Sequence, residues 1–242
     1  FGAIADVVVR RLLEAGAGVV VTDRPAAAEG TRALDRWGGA SDRLRYVPLD
    51  VTDPAGTDRA VREVFRACPD VNVALGHAGG SPLQPFAGAD AEAFDAIVRF
   101  NFSGQTYFAR SVLREWVARK TAGHMIFTSS WVARLPWRDF SAYCASKAAL
   151  EMFARCLALE YADRGIRFNV VAPGVVATGS SDKVYREDRT YRETVDRLSP
   201  LGKRGSPEAV ADAFLFLCSG LADELDGHTL TVDAGIALPK LV

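Results

Sequence analysis

Tyr143, Lys147 and Ser130 are the residues of this chain whose types and spacing could do chemistry. Tyr143 and Lys147 lie four positions apart in the segment SAYCASKAAL, and Ser130 precedes Tyr143 by thirteen. If residues 142–161 form a helix, positions i and i+4 share one face, so a phenol and an ammonium group project side by side. Opposite charges about 4 Å apart at an effective dielectric of about 20 interact by roughly 4 kcal/mol, which would lower the tyrosine pKa from about 10 to about 7. A phenol with that pKa can act as a general acid or base.

Ser130 closes the apolar segment HMIFTSS, which is predicted to be a buried strand. In a doubly wound sheet, a polar residue at the carboxyl end of a strand faces the ligand crevice. The sequence therefore predicts that the serine, the tyrosine and the lysine meet there. The alternative is that Tyr143 and Lys147 are only an amphipathic pair on the surface.

Strands and helices are predicted to alternate along the whole chain. The predicted strands are VVVTD, LRYVPLDV, VNVALGHAGG, HMIFTSS, GIRFNVVAPG and HTLTVDAG. The helical stretches between them include residues 6–15, which end at Gly16, and residues 91–120. This alternation predicts an α/β fold, a Rossmann-type doubly wound parallel sheet, in a single domain over residues 1–242. The charged segment 179–199 is expected to be a mobile lid or an exposed helix pair.

The amino-terminal sequence lacks two elements of such a fold. A central strand and a glycine-rich turn should precede the first helix, whereas the sequence opens at Phe1 and Gly2. Because a central buried strand is needed in this kind of sheet, we expect that roughly ten to fifteen further residues precede Phe1.

The composition favours a small-molecule partner. With 29 basic and 30 acidic residues, the chain has no excess charge that would attract nucleic acid or an anionic membrane. No apolar run is long enough to span a bilayer. The four cysteines and three histidines lack metal-ligand spacing, so no metal site and no disulfide are expected, and reduced thiols favour a cytoplasmic location.

Several separated motifs carry a family resemblance over essentially the whole chain. Asn101, Ser130, Tyr143 and Lys147, together with PGVVAT at 173–178 and VDAG at 232–235, resemble the short-chain dehydrogenase/reductase family in order and spacing. The resemblance implies that Tyr143 is the general acid/base and that Ser130 holds the substrate oxygen. It implies that Lys147 lowers the pKa of Tyr143 and binds the nicotinamide ribose. Asn101 would keep a water in a proton path, or would be a helix asparagine satisfied by a neighbouring carbonyl.

Asp23 is the residue on which the cofactor prediction rests. It ends the strand VVVTD, where Rossmann folds place an acid against the adenosine ribose and where a 2′-phosphate would meet a like charge. NAD is therefore favoured, with NADP as the alternative because the adjacent Arg24 could attract a phosphate. Asp50 and Val51 resemble the adenine-contacting pair of the family, although an aspartate here can also cap a turn.

The resemblance also marks positions where the backbone approaches the cofactor. These positions are Gly2, Ile4, Gly76, Ala78, Gly79, Val176 and Thr178. The family's Asn-Asn-Ala-Gly is replaced by Gly76-His77-Ala78-Gly79, which removes the side-chain amides that brace neighbouring strands. His77 is either a substrate contact or a packed or surface histidine. The last glycine of the glycine-rich turn corresponds to Gly2 or to position Ala5.

The substrate is expected to lie among aromatic side chains. By family position Trp131, Trp137, Phe140, Gly174 and the 179–199 segment surround the reacting carbon, while core packing is the alternative for both tryptophans. A sugar, a polyol or a small secondary alcohol is the predicted substrate. The alternative enzyme is an NADPH-dependent 3-oxoacyl thioester (acyl carrier protein) reductase. A nucleotide-sensing or scaffold protein on a degenerate fold would be expected to lose Tyr143 and Lys147.

Two long helices predict self-association. The helices around residues 100–116 and 142–161 carry more apolar surface than one core face needs, and Phe108 and Phe153 are expected to need a partner outside the chain. A homotetramer, or at least a dimer, is expected because members of the family pair these helices.

Overall fold

The computed structural model describes residues 2–80 and 82–238, in which strands and helices alternate as the sequence predicts. The strands are β1 (Val19–Asp23), β2 (Leu44–Pro48), β3 (Val73–Gly76), β4 (Gly123–Thr128), β5 (Ile166–Pro173) and β6 (Thr229–Val232). The helices are α1 (Ala3–Glu14), α2 (Ala27–Ala33), α3 (Pro54–Ala67), α4 (Ala91–Val98), α5 (Gly104–Arg119), α6 (Ser141–Tyr161), α7 (Gly179–Glu187), α8 (Arg189–Leu198) and α9 (Pro207–Cys218). Each predicted strand is confirmed, and every strand pairing is parallel. The predicted α/β class is confirmed.

Within residues 2–80 and 82–238 the parallel strands pair in two groups. β1 pairs with β2, and the order of the larger sheet is β3, β4, β5, β6. Every residue of β4 is buried, as expected for a strand that is covered by helices on both faces. The predicted strand before Phe1 lies outside the described residues.

Helix α1 joins the two sheets into one domain. Val9 packs with Val21 of β1, while Val7 and Val8 pack with Ile126 of β4 and Val171 of β5. On the same side α1 lies against α9, and elsewhere α3 lies against α5. The apolar side chains of α1 therefore contribute to the cores over both sheets.

The long helix predicted over residues 91–120 contains a change of helical type. α4 continues through a π-helical turn, Arg99–Ser103, into α5. The Asp90 side chain caps α4 by accepting from the Ala93 amide at 2.6 Å. π turns occur frequently at functional sites, and this one carries the buried Asn101.

The apolar side chains of α5 and α6 are largely used by the core. Phe108 and Phe153 pack against buried clusters, and the Phe153 ring contacts those of Phe102 and Phe127. The expectation that these two phenylalanines need a partner outside the chain is therefore wrong. No helix in the described part of the chain has the length and apolarity to cross a bilayer.

The charged segment 179–199 is a helix pair, one of the two structures expected for it. α7 and α8 cover this region, and Val195 of α8 is fully buried. The Ser181 hydroxyl donates to the Val176 carbonyl at 2.6 Å, which fastens α7 to the segment after β5.

Candidate active site

The carboxyl end of β4 and the start of α6 bring Ser130, Tyr143 and Lys147 together, as the sequence predicts. Ser130 caps a short 3-10 turn (Trp131–Ala133) by accepting from the Val132 amide at 3.5 Å. Its side chain is also hydrogen-bonded to the phenol of Tyr143. Tyr143 and Lys147 lie in the first two turns of α6, on one face.

Lys147 is held by the main chain of β4. Its side chain is 2% exposed, and its Nζ donates to the Thr128 carbonyl at 2.8 Å. Nζ also lies 5.6 Å from the centroid of the Tyr143 ring. Burial lowers the pKa of Lys147 to about 8, because removal from water penalises its charged form.

The predicted fall of the Tyr143 pKa to about 7 is wrong for this structure. Burial raises the pKa of Tyr143 to about 12, and the hydrogen bond with Ser130 offsets this only in part. The ammonium lies over the ring and is bonded to a carbonyl, so the expected close charge pair does not form. Burial therefore outweighs the attraction that the sequence spacing suggested.

Asn101 braces the loop after β3, at residues 76–80. Its Oδ1 accepts from the Gly80 amide at 2.8 Å, while its Nδ2 donates to the carbonyls of Gly80 at 2.8 Å and Ile97 at 2.9 Å. The Asn101 side chain is thus satisfied by neighbouring backbone groups, as the second interpretation expects, and a role in a proton path stays a prediction. A Cβ at Gly79 would lie 2.8 Å from Lys147 Nζ and 2.9 Å from Asn101 Oδ1, so a side chain there would require one of these groups or the loop to shift.

The sequence lacks side-chain amides at positions 76 and 77. Gln105 and His77 make the side-chain hydrogen bonds in this region instead. Gln105 of α5, which sequence reasoning missed, donates from Nε2 to the Ala78 carbonyl at 2.6 Å. A Cβ at Gly76 would lie 2.5 Å from Gln105 Oε1, so the glycine makes room for this amide. His77 Nδ1 is hydrogen-bonded to Thr128 Oγ1 at 2.8 Å. The only sequence signal for Gln105 is its position one helical turn after Asn101.

His77 is neutral at physiological pH. Burial lowers its pKa to about 4, and the nearby charge of Lys147 acts in the same direction. Its ring meets Phe214 edge to face, with centroids 5.9 Å apart. His77 lies with Thr128 and Lys147 in the wall of a cavity, which is described next.

A cavity of about 510 Å³ opens beside these residues. Ser130, Tyr143 and Lys147 line it. Four predicted cofactor positions also line it: Ile4, Gly79, Val176 and Thr178. A volume of this size suits a small ligand.

The predicted substrate positions Trp131, Trp137, Phe140 and Gly174 also line the cavity. Trp137 meets Trp131 edge to face at 5.4 Å and meets Tyr191 of α8 in the same way at 6.1 Å. Tyr191, which was not singled out in the sequence, therefore connects the helix pair to the cavity wall. A Cβ at Gly174 would lie 2.6 Å from the Asp233 Cα, so this glycine also allows close packing.

The carboxyl ends of β1 and β2 place Asp23, Arg24 and Asp50 near one another, away from the cavity lining. Asp23 Oδ1 accepts from the Arg24 amide at 2.7 Å. Asp50 caps a turn, since its Oδ1 accepts from the amide and hydroxyl of Thr52 at 2.8 and 2.7 Å. These bonds lower the pKa of Asp50, and the charge of Arg24 contributes. Val51 packs against Gly104.

The carboxylates of Asp23 and Glu29 place negative charge near Tyr46, at the carboxyl edge of the sheet formed by β1 and β2. The Tyr46 hydroxyl lies within hydrogen-bonding distance of the carbonyls of Asp23 at 2.7 Å and Pro25 at 2.6 Å. Burial, together with the charges of Asp23 and Glu29, raises the pKa of Tyr46 to about 12.

The start of α1 lies beside the same cavity. Gly2 is the residue before the first turn of α1, and Ile4 in that turn lines the cavity. Ala5 lies inside the helix, so Gly2 is the glycine at the turn-to-helix junction. The amides of a helix's first turn have no partner within the helix and attract anions.

A parallel α/β sheet with a tyrosine and a buried lysine in a cavity at its carboxyl edge is the arrangement expected of a dinucleotide-dependent oxidoreductase. Comparison with known proteins agrees. A family model described as enoyl-(acyl carrier protein) reductase matches residues 2–237. The chain belongs to the short-chain dehydrogenase/reductase family. The members to which it is similar are named for reactions at CH–OH groups.

Relatives of known activity cover most of the chain. A 3beta-hydroxysteroid dehydrogenase of Eggerthella lenta is 34% identical over 217 residues, which are 90% of this chain and 82% of that protein. A galactitol 2-dehydrogenase (L-tagatose-forming) of Cereibacter sphaeroides is 33% identical and covers 93% of this chain and 87% of its own. An L-xylulose reductase of Mesocricetus auratus is 32% identical over 93% of this chain and 88% of that protein.

A solved structure agrees in fold over nearly the whole chain. It is a gluconate 5-dehydrogenase from Burkholderia cenocepacia in complex with NADP and tartrate, with a TM-score of 0.89 and 26% identity. The superposition covers 98% of this chain and 92% of that one. Together these findings make the protein an oxidoreductase of alcohol groups.

Proposed function

We propose that the protein transfers hydride between NAD and a secondary alcohol or the corresponding ketone, with Tyr143 as the general acid/base. The observation that carries this proposal is the convergence of Ser130, Tyr143 and Lys147 in the wall of one cavity. The loop at residues 76–80 supports it, because Gly79 is held against Lys147 and leaves no room for a side chain.

The residues present fit a nicotinamide dinucleotide. Gly2 at the start of α1 offers helix amides to the pyrophosphate, and Asp23 offers a carboxylate to the adenosine ribose. Ala78 and Gly79 allow a close approach of the backbone, and Lys147 holds the nicotinamide ribose. When bound, the cofactor supplies the hydride acceptor or donor.

Ser130 and Tyr143 act on the substrate oxygen. Their side chains are hydrogen-bonded to each other, so both can be directed at one oxygen atom. A phenol with a pKa of about 12 keeps its proton at neutral pH and can donate it to the oxygen as a ketone is reduced. In the reverse direction Tyr143 receives the alcohol proton, with Lys147 stabilising the phenolate.

NAD is preferred to NADP in this proposal. The carboxylates of Asp23 and Asp50 outnumber the single guanidinium of Arg24 at this edge, and a 2′-phosphate would add like charge. The solved gluconate 5-dehydrogenase contains NADP, so the preference rests on the residues of this chain.

The relatives offer two kinds of substrate. Galactitol 2-dehydrogenase and L-xylulose reductase support the sugar or polyol that the sequence predicts, whereas 3beta-hydroxysteroid dehydrogenase supports a ring alcohol. The second candidate is an NADPH-dependent 3-oxoacyl thioester (acyl carrier protein) reductase. The matching family model is described by an enoyl thioester of acyl carrier protein, so it supports the thioester carrier of this candidate and not the 3-oxo group.

Cofactor absorbance tests these functions directly. The protein is incubated with NAD and a panel of secondary alcohols, and with NADPH and a 3-oxoacyl thioester, while the reduced nicotinamide is followed in the near ultraviolet. Alcohol-dependent reduction of NAD supports the proposal. Turnover of the thioester alone would assign the second candidate instead.

A further inference from the structure

We propose, on the basis of the function proposed above, that the substrate is a neutral ring alcohol with a largely apolar body, and neither a polyol nor a sugar acid. The inference rests on three properties of the cavity wall. Part of its surface is aromatic, most of its hydroxyl groups are hydrogen-bonded within the protein, and it has little charge with which to bind an ionic substrate.

One part of the cavity wall is apolar. Trp131, Trp137 and Phe140 line it together with Leu83 and, from the helix pair, Val184. Trp137 is packed edge to face between Trp131 and Tyr191, so its position is set by the protein. Such a surface gains free energy by covering the faces of a hydrocarbon ring.

Most of the hydroxyl groups in the wall already have protein partners. Thr128 is bonded to His77, Ser129 donates to the Lys147 carbonyl, and Ser181 donates to the Val176 carbonyl. Ser130 is bonded to Tyr143 and is assigned to the reacting oxygen. A polyol would bring several further hydroxyls away from water to a wall with few partners for them, which opposes binding.

The wall also offers little charge to an acidic substrate. Of the described residues that line the cavity, Lys147 alone carries a formal charge at pH 7, since the pKa of His77 is about 4. The Lys147 ammonium is bonded to the Thr128 carbonyl and lies against Gly79. A carboxylate or phosphate on the substrate would therefore be buried without a dedicated cation.

A substrate panel with NAD tests the inference. The ring alcohols are cyclohexanol, 2-decalol and a 3β-hydroxysteroid, the polyols are xylitol and galactitol, and the acid is gluconate. We expect kcat/KM for 2-decalol or the steroid to exceed that for either polyol by at least about 100-fold, which corresponds to two or more unpaired hydroxyls at about tenfold each. Polyol or gluconate activity equal to or above that of the ring alcohols overturns the inference and leaves the proposed function intact. No oxidation of any alcohol overturns both.

Variants of Trp137 separate wall contact from a general effect on folding. Trp137→Ala should lower kcat/KM for 2-decalol by at least about tenfold while changing that for 2-butanol, which is too small to cover the wall, by less than about threefold. Trp137→Phe keeps an aromatic face and should restore most of the 2-decalol activity. The control is Leu221→Ala, because Leu221 is 83% exposed and lies outside this cavity. Equal losses for 2-decalol and 2-butanol in Trp137→Ala would overturn the inference.

Discussion

Tyr143 and Lys147 lie side by side on α6, and each is desolvated by the protein around it. Burial raises the pKa of Tyr143 to about 12 and lowers that of Lys147 to about 8. Both shifts favour the neutral form, so the two groups do not act as a simple ion pair. At the residue scale, the protonation states of Tyr143 and Lys147 during the reaction therefore depend on the charges of the cofactor and substrate that enter the cavity.

Asp23 provides a residue-scale prediction about the cofactor. We expect kcat/KM with NAD to exceed that with NADP by at least about tenfold, which requires only about 1.4 kcal/mol of unfavourable carboxylate-phosphate contact. Asp23→Asn should reduce this ratio mainly by improving the use of NADP. Steady-state kinetics with both cofactors measure it, and equal use of the two by the wild-type protein would show that Arg24 governs this site.

At the scale of elements, the 76–80 loop is positioned by the helix that contains the π turn. Asn101 and Gln105 lie one turn apart and bond to Gly80 and Ala78 of this loop. The loop in turn places Gly79 against Lys147 Nζ. The position of the lysine and that of the 76–80 loop are therefore coupled.

Gly79→Ala tests this coupling. Its Cβ would lie 2.8 Å from Lys147 Nζ, so the loop or the lysine must shift. We expect at least about a tenfold loss of kcat/KM and weaker binding of NAD, because small displacements at a reacting centre are costly. Gly88→Ala is the matched control, since a Cβ there meets nothing within 4 Å. If both variants bind NAD and turn over equally well, the coupling is refuted.

At the scale of the whole molecule, His124 predicts sensitivity to acid. It is 5% exposed in β4 and is bonded to Asn169, and burial lowers its pKa from 6.5 to about 4, with the charge of Arg167 contributing. Between these two pH values the unfolded chain binds the proton and the folded chain does not. The free energy of unfolding should therefore fall as the pH falls from 6.5 to 4, by about 3 kcal/mol from this group.

Denaturant unfolding at several pH values measures that contribution. His124→Asn removes the titrating group, so the variant should lose less stability than the wild-type protein between pH 7 and pH 4. The contributions of the carboxylates and of His77 to the pH dependence of stability cancel in this comparison, because these groups titrate in both proteins. Parallel pH curves for the two proteins would show that His124 is not desolvated as described.

Self-association stays a prediction at this scale, although its basis has changed. Phe108 and Phe153 are used by the core, whereas Met152 and Leu159 on the outer side of α6 are 52% and 85% exposed. We expect a dimer or homotetramer in light scattering, and Leu159→Lys should weaken it. A wild-type mass near the 26.1 kDa of one chain would contradict this expectation.

The elements of the fold could be predicted because their signals are local. Apolar runs gave the six strands, and the i, i+4 spacing placed Tyr143 and Lys147 on one face. The pKa of Tyr143 could not be predicted, because it depends on burial and on the Thr128 carbonyl that directs Lys147. Gln105 and the π turn likewise left no local pattern.

Replacement of Tyr143 by phenylalanine tests the central claim most directly. The change removes one oxygen from a partly buried ring, so the fold and the 76–80 loop should be preserved. We expect kcat for the alcohol oxidised by the wild-type protein to fall by about 10² to 10⁴, with the Kd for NAD within a few fold of wild type. Stopped-flow or steady-state absorbance and a fluorescence titration with NAD provide the two numbers. Retention of more than about a tenth of the wild-type rate would contradict the assignment of Tyr143 as the acid/base.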